Sequence, residues 1–371
     1  MPAVELRHKI AFAAVRGMGY DLATKILDIL PSEADFFALP QKDLAHILQA
    51  KNKIIDEDYR RQLLIMADRE IEFIEKNAIG VTYFSDSDFP VRLSNAPDSP
   101  IILYYKGDPG CLSSQKAVSV VGTRHATTYG QHFCDTLIAD MADSLVDTVI
   151  ISGLAYGIDV AAHRAALANN VPTIAVLAHG LNTIYPSQHR NIADEIVRSG
   201  GLLVTDYTSQ SPLTKGNFLA RNRIVAGLAD CTVIVESAQK GGAMTTARIA
   251  ASYNRDVFAL PGKTSDPFSA GCNKLIRDNL ASLITCLDDL AKAMRWNMFG
   301  TESTPRQMKI FPELTPEEKT ITDYLATHPD CHVNVIRAAL GMPMPQLLNL
   351  LIELEFKGAI LTAPGNKYSL A

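Results

Sequence analysis

The chain of 371 residues has six cysteines and no CxxC pair among them. Cys111, Cys134, Cys231, Cys272, Cys286 and Cys331 are scattered. That fits buried thiols in a reducing compartment better than disulfides or a zinc site. No run of about 18 uncharged apolar residues occurs, so no membrane span is expected. Glu5 stands early and no uninterrupted apolar stretch follows it. The first residues therefore do not read as a secretory signal, and the expected compartment is the cytoplasm. Basic charge is not in excess: 35 Lys and Arg against 40 Asp and Glu give a net charge of −5. Bulk, non-specific polyanion binding is thereby disfavoured, while a local basic patch remains open.

Catalytic signatures are missing too. There is no GxSxG, no HExxH and no GxGxxG. The PGKT at 261–264 resembles the end of a phosphate-binding loop, but the glycine required at its start would fall at Val257. Asp159 and His163 share a helical face and read as a capping or hydrogen-bonding pair ahead of an acid–base pair. His179 and His189 lack partners at metal-ligand spacing. No cofactor or metal is expected.

The most informative absence is local. Over residues 207–229 there is no Asp or Glu, and the only charges are Lys215, Arg221 and Arg223, with Phe218 among them. A strand-like run, 232–235, follows almost at once. An acid-free groove with cations, one aromatic ring and backbone donors suits a single strand of nucleic acid better than a small dinucleotide. Phe218 either packs inward as a helix begins or offers its ring to an unstacked base. Of Arg221 and Arg223, one faces the groove while the other braces the fold through a carboxylate such as Asp206 or Glu236. The sequence leaves both pairs of alternatives open.

What is present sets the frame. Residues 1–76 are helical and amphipathic, with Gly17-Met18-Gly19 turning between two helical patterns. Residues 80–295 alternate apolar runs with helical patterns. The runs 118–121, 149–151, 173–177, 202–204, 232–235 and 257–260 are continuous rather than alternating, as in strands buried on both faces of a parallel sheet. Helices are expected between them, at 131–142 and 243–253 among others. Repeated βα units of this kind predict a doubly wound, Rossmann-like sheet. Ligands of such sheets bind beyond the carboxyl ends of the strands, where the uncommon polar stretches of this chain fall. They are Gly122-Thr123-Arg124, the SGLAYGID of 152–159, Ala178-His179-Gly180, the acid-free run and the ESAQKGGAMTT of 236–246. The glycines let a bare backbone approach a phosphate, and Arg124 can add a bidentate contact.

A linker is expected over 296–312. Thr315-Pro316-Glu317-Glu318 is a capping box with proline at the first helical position. Further helical patterns end near Gly358, and a hairpin turning at Pro364-Gly365-Asn366 completes a winged-helix plan. The helix of 345–356, in the place of a recognition helix, carries Glu353 and Glu355 and no cation before Lys357. That disfavours major-groove reading of a duplex. Leu347, Leu351 and Leu354 read as core.

These motifs together resemble the bacterial DNA-processing protein A (Smf) family. VGTRHATTYG, SGLAYGIDVAAHRAAL, TIAVLAHGLNTIYPSQHRNIADEI, FLARNRIVAGL and FALPG followed by AGCNKLI carry the resemblance, which spans nearly the whole chain. It implies an α/β fold with an extended Rossmann-like parallel sheet (77–295), an N-terminal helical module of helix-hairpin-helix or SAM-like kind (1–76) and a C-terminal winged helix (313–371). It also implies a non-enzymatic protein that binds and protects single-stranded DNA, loads the RecA recombinase onto it during natural transformation, and dimerises through the Rossmann domain. Arg124, Lys215 and Phe218 match the family's DNA-pocket positions, with Gly122, Gly153 and Gly241 as pocket backbone. The full set of candidate DNA contacts is Gly122, Thr123, Arg124, Ser152, Gly153, Lys215, Asn217, Phe218, Arg221 and Gly241.

The chain departs from the family pattern at Leu219 after Phe218, at Thr205-Asp206, at Ala178, at Gly241-Gly242 and in the HVNVI of 332–336. Those differences bear on pocket shape and on the partner of the winged helix. The segment 273–280 is the candidate for part of a dimer interface. The alternative reading is a nucleotide-processing hydrolase of the phosphoribohydrolase type. KGGAMTTA shares that family's glycines and threonines but lacks its proline and trailing glutamate. A third reading, a duplex-DNA regulator acting through the winged helix, meets the acidic helix described above.

Overall fold

A computed structural model of the protein describes residues 3–48, 55–298, 314–328, 331–357, 359–363 and 367–370. It divides into two compact units, Met1–Phe299 and Gly300–Ala371.

The first unit opens with five helices, α1 (Ala3–Ala13), α2 (Tyr20–Leu27), α3 (Glu33–Ala38), α4 (Gln41–Ile47) and α5 (Glu57–Asn77). The turn expected at Gly17 is there, with Gly17 at φ +80, a conformation that favours glycine. Ser32 caps α3 and Asp56 caps α5, each side chain accepting a backbone N–H of the first turn. Phe12, Ile10, Phe36 and Leu44 make the core of these helices, and they share it with Tyr83, Ile102 and Tyr104 from the first two strands.

Those strands are β1 (Gly80–Tyr83) and β2 (Ile102–Gly107), separated by the short α6 (Val91–Ser94). Then come β3 (Lys116–Val121), α7 (Thr128–Ser144), β4 (Thr148–Ser152), α8 (Ile158–Ala168), β5 (Thr173–Val176), α9 (Arg190–Arg198) and β6 (Leu202–Thr205). The chain continues through α10 (Lys215–Ala220), α11 (Asn222–Gly227), β7 (Cys231–Ile234), α12 (Gly242–Ser252), β8 (Asp256–Ala259), α13 (Ala270–Arg277), β9 (Ser282–Leu283) and α14 (Leu287–Met294). The nine strands join one sheet in the order β1-β2-β6-β5-β4-β3-β7-β8-β9. From β6 through β9 the pairs are parallel; β1–β2 and β2–β6 are antiparallel.

Every run expected to be a buried parallel strand is one. Along β4 the side chains alternate between the two cores, Val149 and Ile151 on one face and Ile150 on the other. Burying each such side chain contributes about 1.5–3 kcal/mol, which is why continuous Val/Ile runs specify a sheet covered on both sides. Three strands of this sheet were not expected. β1 and β2 add an antiparallel edge that covers the helical module, so their sequences, GVTY and ILYYKG, are not Val/Ile runs. β9 has two residues and little pattern of its own.

The order places β3 between β4 and β7. The chain winds outward from β3 to β6, then returns across to β7 and winds outward again. Such a reversal opens a crevice beyond the carboxyl ends of β3 and β7.

The second unit holds α15 (Pro316–Thr327), β10 (Cys331–His332), α16 (Val333–Leu340), α17 (Met344–Phe356), β11 (Ile360–Ala363) and β12 (Lys367–Leu370). The strands form an antiparallel sheet in the order β10-β12-β11. This is the winged-helix plan, and its capping box forms as expected: Thr315 Oγ1 accepts the Glu318 N–H, and the Glu318 carboxylate accepts the Thr315 N–H. Leu347, Leu351 and Leu354 are fully buried. Lys357, the first cation after the acidic helix, is tied to Glu318 at 2.6 and 2.8 Å. The hairpin turn at 364–366, and the expected linker from residue 299 onward, lie outside the described residues. Among the described residues no single helix is long and apolar enough to cross a membrane.

Candidate nucleic-acid interface

At the carboxyl end of β3 the chain turns through Gly122, Thr123 and Arg124. No side chain fits at Gly122: a Cβ there would meet Ile158 at 2.5 Å and the Glu236 carbonyl at 2.9 Å. The Thr123 N–H donates to the Glu236 carbonyl at 2.6 Å, and the Thr123 carbonyl accepts the Ile158 N–H at 3.1 Å. The loop after β3 is thus stitched to the loop after β7 and to the start of α8. Glu236 completes the stitching, since its carboxylate accepts the N–H and hydroxyl of Thr127, the residue that caps α7.

Arg124 is exposed on this fixed loop. Its guanidinium carbon lies 5.8 Å from the centre of the Phe218 ring, a cation–π arrangement. Phe218 comes from α10, built by the acid-free run. Its ring is half-buried on the cleft wall, with Tyr185 against it at 5.5 Å. Opposite, Gly241, Gly242 and Ala243 bring the first turn of α12 to the cleft. The positive end of that helix dipole favours an anion. The space enclosed is about 330 Å³.

Beneath it lies a buried charge centre. Arg221 is 5% exposed. Its Nη1 donates to the Gly153 carbonyl at 2.7 Å and also to the Val176 carbonyl. Asp159, the one carboxylate lining the cleft among the described residues, is buried as well. Burial pushes its pKa up, opposed by the charge of Arg221 and by the N–H groups of Ala155 and Gly153. Burial likewise lowers the pKa of Arg221, opposed by Asp159.

Of the expected contacts, Gly122, Thr123, Arg124, Phe218, Arg221 and Gly241 line the cleft. The others lie outside the cleft lining. Ser152 lies below, its hydroxyl donating to the Val120 carbonyl at 2.7 Å. Gly153 is the floor on which Arg221 rests, and Arg221 is a brace rather than a surface cation. Asn217 closes its own turn, donating to the Pro212 carbonyl at 2.9 Å and accepting from Thr214 at 2.5 Å. Lys215 stands exposed at the first position of α10, one turn before Phe218 and on the same face. Arg223 pairs with Asp206 at 2.7 Å. Both arginines of the RNR triplet therefore brace the fold, Arg223 beside Asp206 and Arg221 from the floor of the cleft, where one of the two was expected to be free of that task.

His125, Phe268 and Tyr185 were missed. His125 and Phe268 line the cleft with ring centres 5.9 Å apart. The signal for Tyr185 was an aromatic ring in a polar loop after a buried strand.

The acid–base pairing of Asp159 and His163 does not form. His163 is fully buried and its Nδ1 meets the Thr173 hydroxyl at 2.8 Å. His179 and His189 bond main-chain carbonyls, those of Gly180 and Leu154. Among the described residues no cluster of His, Cys, Asp or Glu could hold a metal ion.

Residues 80–295 match the family model described as DNA recombination-mediator protein A, and residues 309–366 match that of the DprA winged helix domain. Protein Smf of Escherichia coli K12 is 35% identical over 288 residues, 76% of this chain and 75% of that protein. A putative DNA processing protein DprA of Mycobacterium tuberculosis H37Rv is 32% identical over 325 residues, covering 84% and 82%. Among solved structures, DNA processing protein A of Streptococcus pneumoniae superimposes with a TM-score of 0.64 at 30% identity, over 77% of this chain and 95% of that one. The Helicobacter pylori DNA processing protein A, solved for insight into its single-stranded DNA binding mode, gives 0.52 at 30% identity over 58% and 95%.

Proposed function

Because the chain belongs to the DNA recombination-mediator protein A family, we propose that it binds single-stranded DNA in the crevice beyond β3 and β7, protects it, and loads the RecA recombinase onto it during natural transformation. The observation that carries this reading is Arg124 poised over the Phe218 ring, facing the first turn of α12. A guanidinium and helix-terminal N–H groups suit a phosphate; the ring suits the face of an unstacked base. A paired base keeps its faces within the duplex stack, so this geometry selects single strands.

Arg124, Lys215 and Phe218 are the proposed direct contacts, with Gly122, Thr123 and Gly241 as the backbone wall. Arg221, Gly153, Ser152 and Asn217 hold that wall in place. The protein is proposed to act in the cytoplasm as a homodimer formed through the Rossmann-like domain, with 273–280 contributing. Within that segment Asn273 is engaged internally with Gly262, while Leu280 is exposed. The division into 1–76, 77–295, a linker and a winged helix from 313 is proposed with it, and limited proteolysis between 296 and 312 tests the last boundary.

The test is fluorescence anisotropy of a labelled single-stranded oligonucleotide, with unlabelled duplex as competitor, on wild type and Lys215→Glu. Tight binding, weak competition by duplex and loss in the variant are expected. Equal competition by duplex, or full binding by the variant, overturns the site. Release of a free base from nucleoside monophosphates would favour the hydrolase reading instead.

A further inference from the structure

A larger cavity, of about 790 Å³, adjoins the first one across the Arg124 loop, and Arg124 and His125 line both. It occupies the groove between α7 and α8. α7 supplies Gln131 and Asp135, α8 supplies Ala161 and Arg164, and Tyr156 stands just before α8.

Of these side chains, Arg164 and Tyr156 both reach solvent. Arg164 is exposed and forms no hydrogen bond or ion pair with another described residue. Tyr156 presents its ring to solvent, 41% exposed, yet the ring is held in place. Its hydroxyl donates to the Gln188 side-chain oxygen at 2.8 Å, and its ring packs against the His189 ring with centres 5.1 Å apart and planes at 70°. An aromatic face fixed in that way needs no ordering when a base stacks on it. Charge has the right sign: two guanidinium groups, Arg124 and Arg164, face one carboxylate, Asp135, in this lining.

We propose that the α7–α8 groove is a second nucleotide subsite. A strand leaving the first cleft passes Arg124, which holds the phosphate between the two sites. It then places its next phosphate on Arg164 and a base on Tyr156. This rests on the reading of the first cleft as a single-strand site. It adds to that reading the path of the strand and the reason Arg124 borders two cavities.

The test compares labelled oligo(dT) of about four and about sixteen nucleotides, the range of site sizes found for single-strand binders. Wild type, Tyr156→Ala, Arg164→Gln and Lys215→Glu are titrated with each. Both substituted groove residues are exposed, and thermal melts confirm that the variants fold. Tyr156→Ala is expected to weaken the long oligomer about ten-fold, within the range for one lost stacking contact, Arg164→Gln to weaken it as well, and both to leave the short one unchanged. Arg164→Gln also lowers the salt slope by about 0.7, as for one phosphate contact on a single strand, while Tyr156→Ala leaves it unaltered. Wild-type affinity for the long oligomer in both variants overturns the second subsite, as does equal weakening of long and short. A different result, wild type binding neither oligomer or Lys215→Glu binding both normally, overturns the first cleft itself.

Discussion

The guanidinium of Arg221 lies against Gly153, with Nη1 donating to the Gly153 carbonyl at 2.7 Å, and a Cβ on Gly153 would fall on the guanidinium itself. A glycine at the end of β4 and an arginine far along the chain therefore form one structural unit, which supports the crevice from below. Gly153→Ala forces the arginine aside and should cost about 1–3 kcal/mol, as overpacking of a filled interior does. Urea unfolding measures it; an unchanged midpoint would mean that Arg221 yields without loss.

Charge and stacking at the cleft separate by salt. Arg124→Gln and Lys215→Gln should each weaken single-strand binding and reduce the slope of log K against log salt by about 0.7. Phe218→Ala should weaken binding by about 1–3 kcal/mol and leave the slope alone. Titrations at several salt concentrations distinguish the two. A changed slope in the Phe218 variant would show that the ring acts by positioning Arg124.

The helical module holds the approach to the cleft through Glu70. This buried carboxylate of α5 accepts the Ser209 N–H at 2.8 and 3.0 Å and the Ser209 hydroxyl at 2.6 Å. Ser209 lies in the loop that leads from β6 to Lys215. Glu70→Ala strands a main-chain donor and should cost about 1–3 kcal/mol. Hydrogen exchange should also quicken at residues 207–213. Unaltered exchange there would show that the loop is held by other contacts.

His163 predicts an acid sensitivity. Burial pushes its pKa from 6.5 down to about 3, with the charges of Arg221 and His189 adding to the effect. The unfolded chain takes up a proton below pH 6.5 that the folded chain refuses until about 3. The contribution is therefore complete above 6.5 and declines as pH falls, by about 2 kcal/mol between 6.5 and 5. The neutral ring donates from Nδ1 to Thr173, whose hydroxyl itself donates to the Ile150 carbonyl. His163→Leu should flatten the fall in stability between pH 7.5 and 5. An equal fall in both proteins would assign it to other groups.

Much of the molecule was legible in the sequence, for a physical reason. Strands buried on both faces need unbroken apolar runs, so β3 to β8 stood out, and their order as βα units left the ligand edge nowhere but beyond their carboxyl ends. The cleared carboxylates of 207–229 marked the same edge, because a local electrostatic preference must be written in residue type. The capping box of α15 was equally plain, being a contact between residues three apart. What the tertiary structure decided were the questions whose answers depend on distant partners. Arg221 and Arg223 are chemically alike and two residues apart. Only the folding of β4 and β5 beneath one, and of Asp206 beside the other, turned both into braces. Gly153 read as a place for a phosphate, and the fold sets the Arg221 guanidinium against it. β1 and β2 escaped notice because their faces answer to the helical module rather than to a neighbouring βα unit. Sequence determines which chemistry is available and on which edge of the sheet it falls; which side chain is left free to use it is settled by packing between residues far apart in the chain.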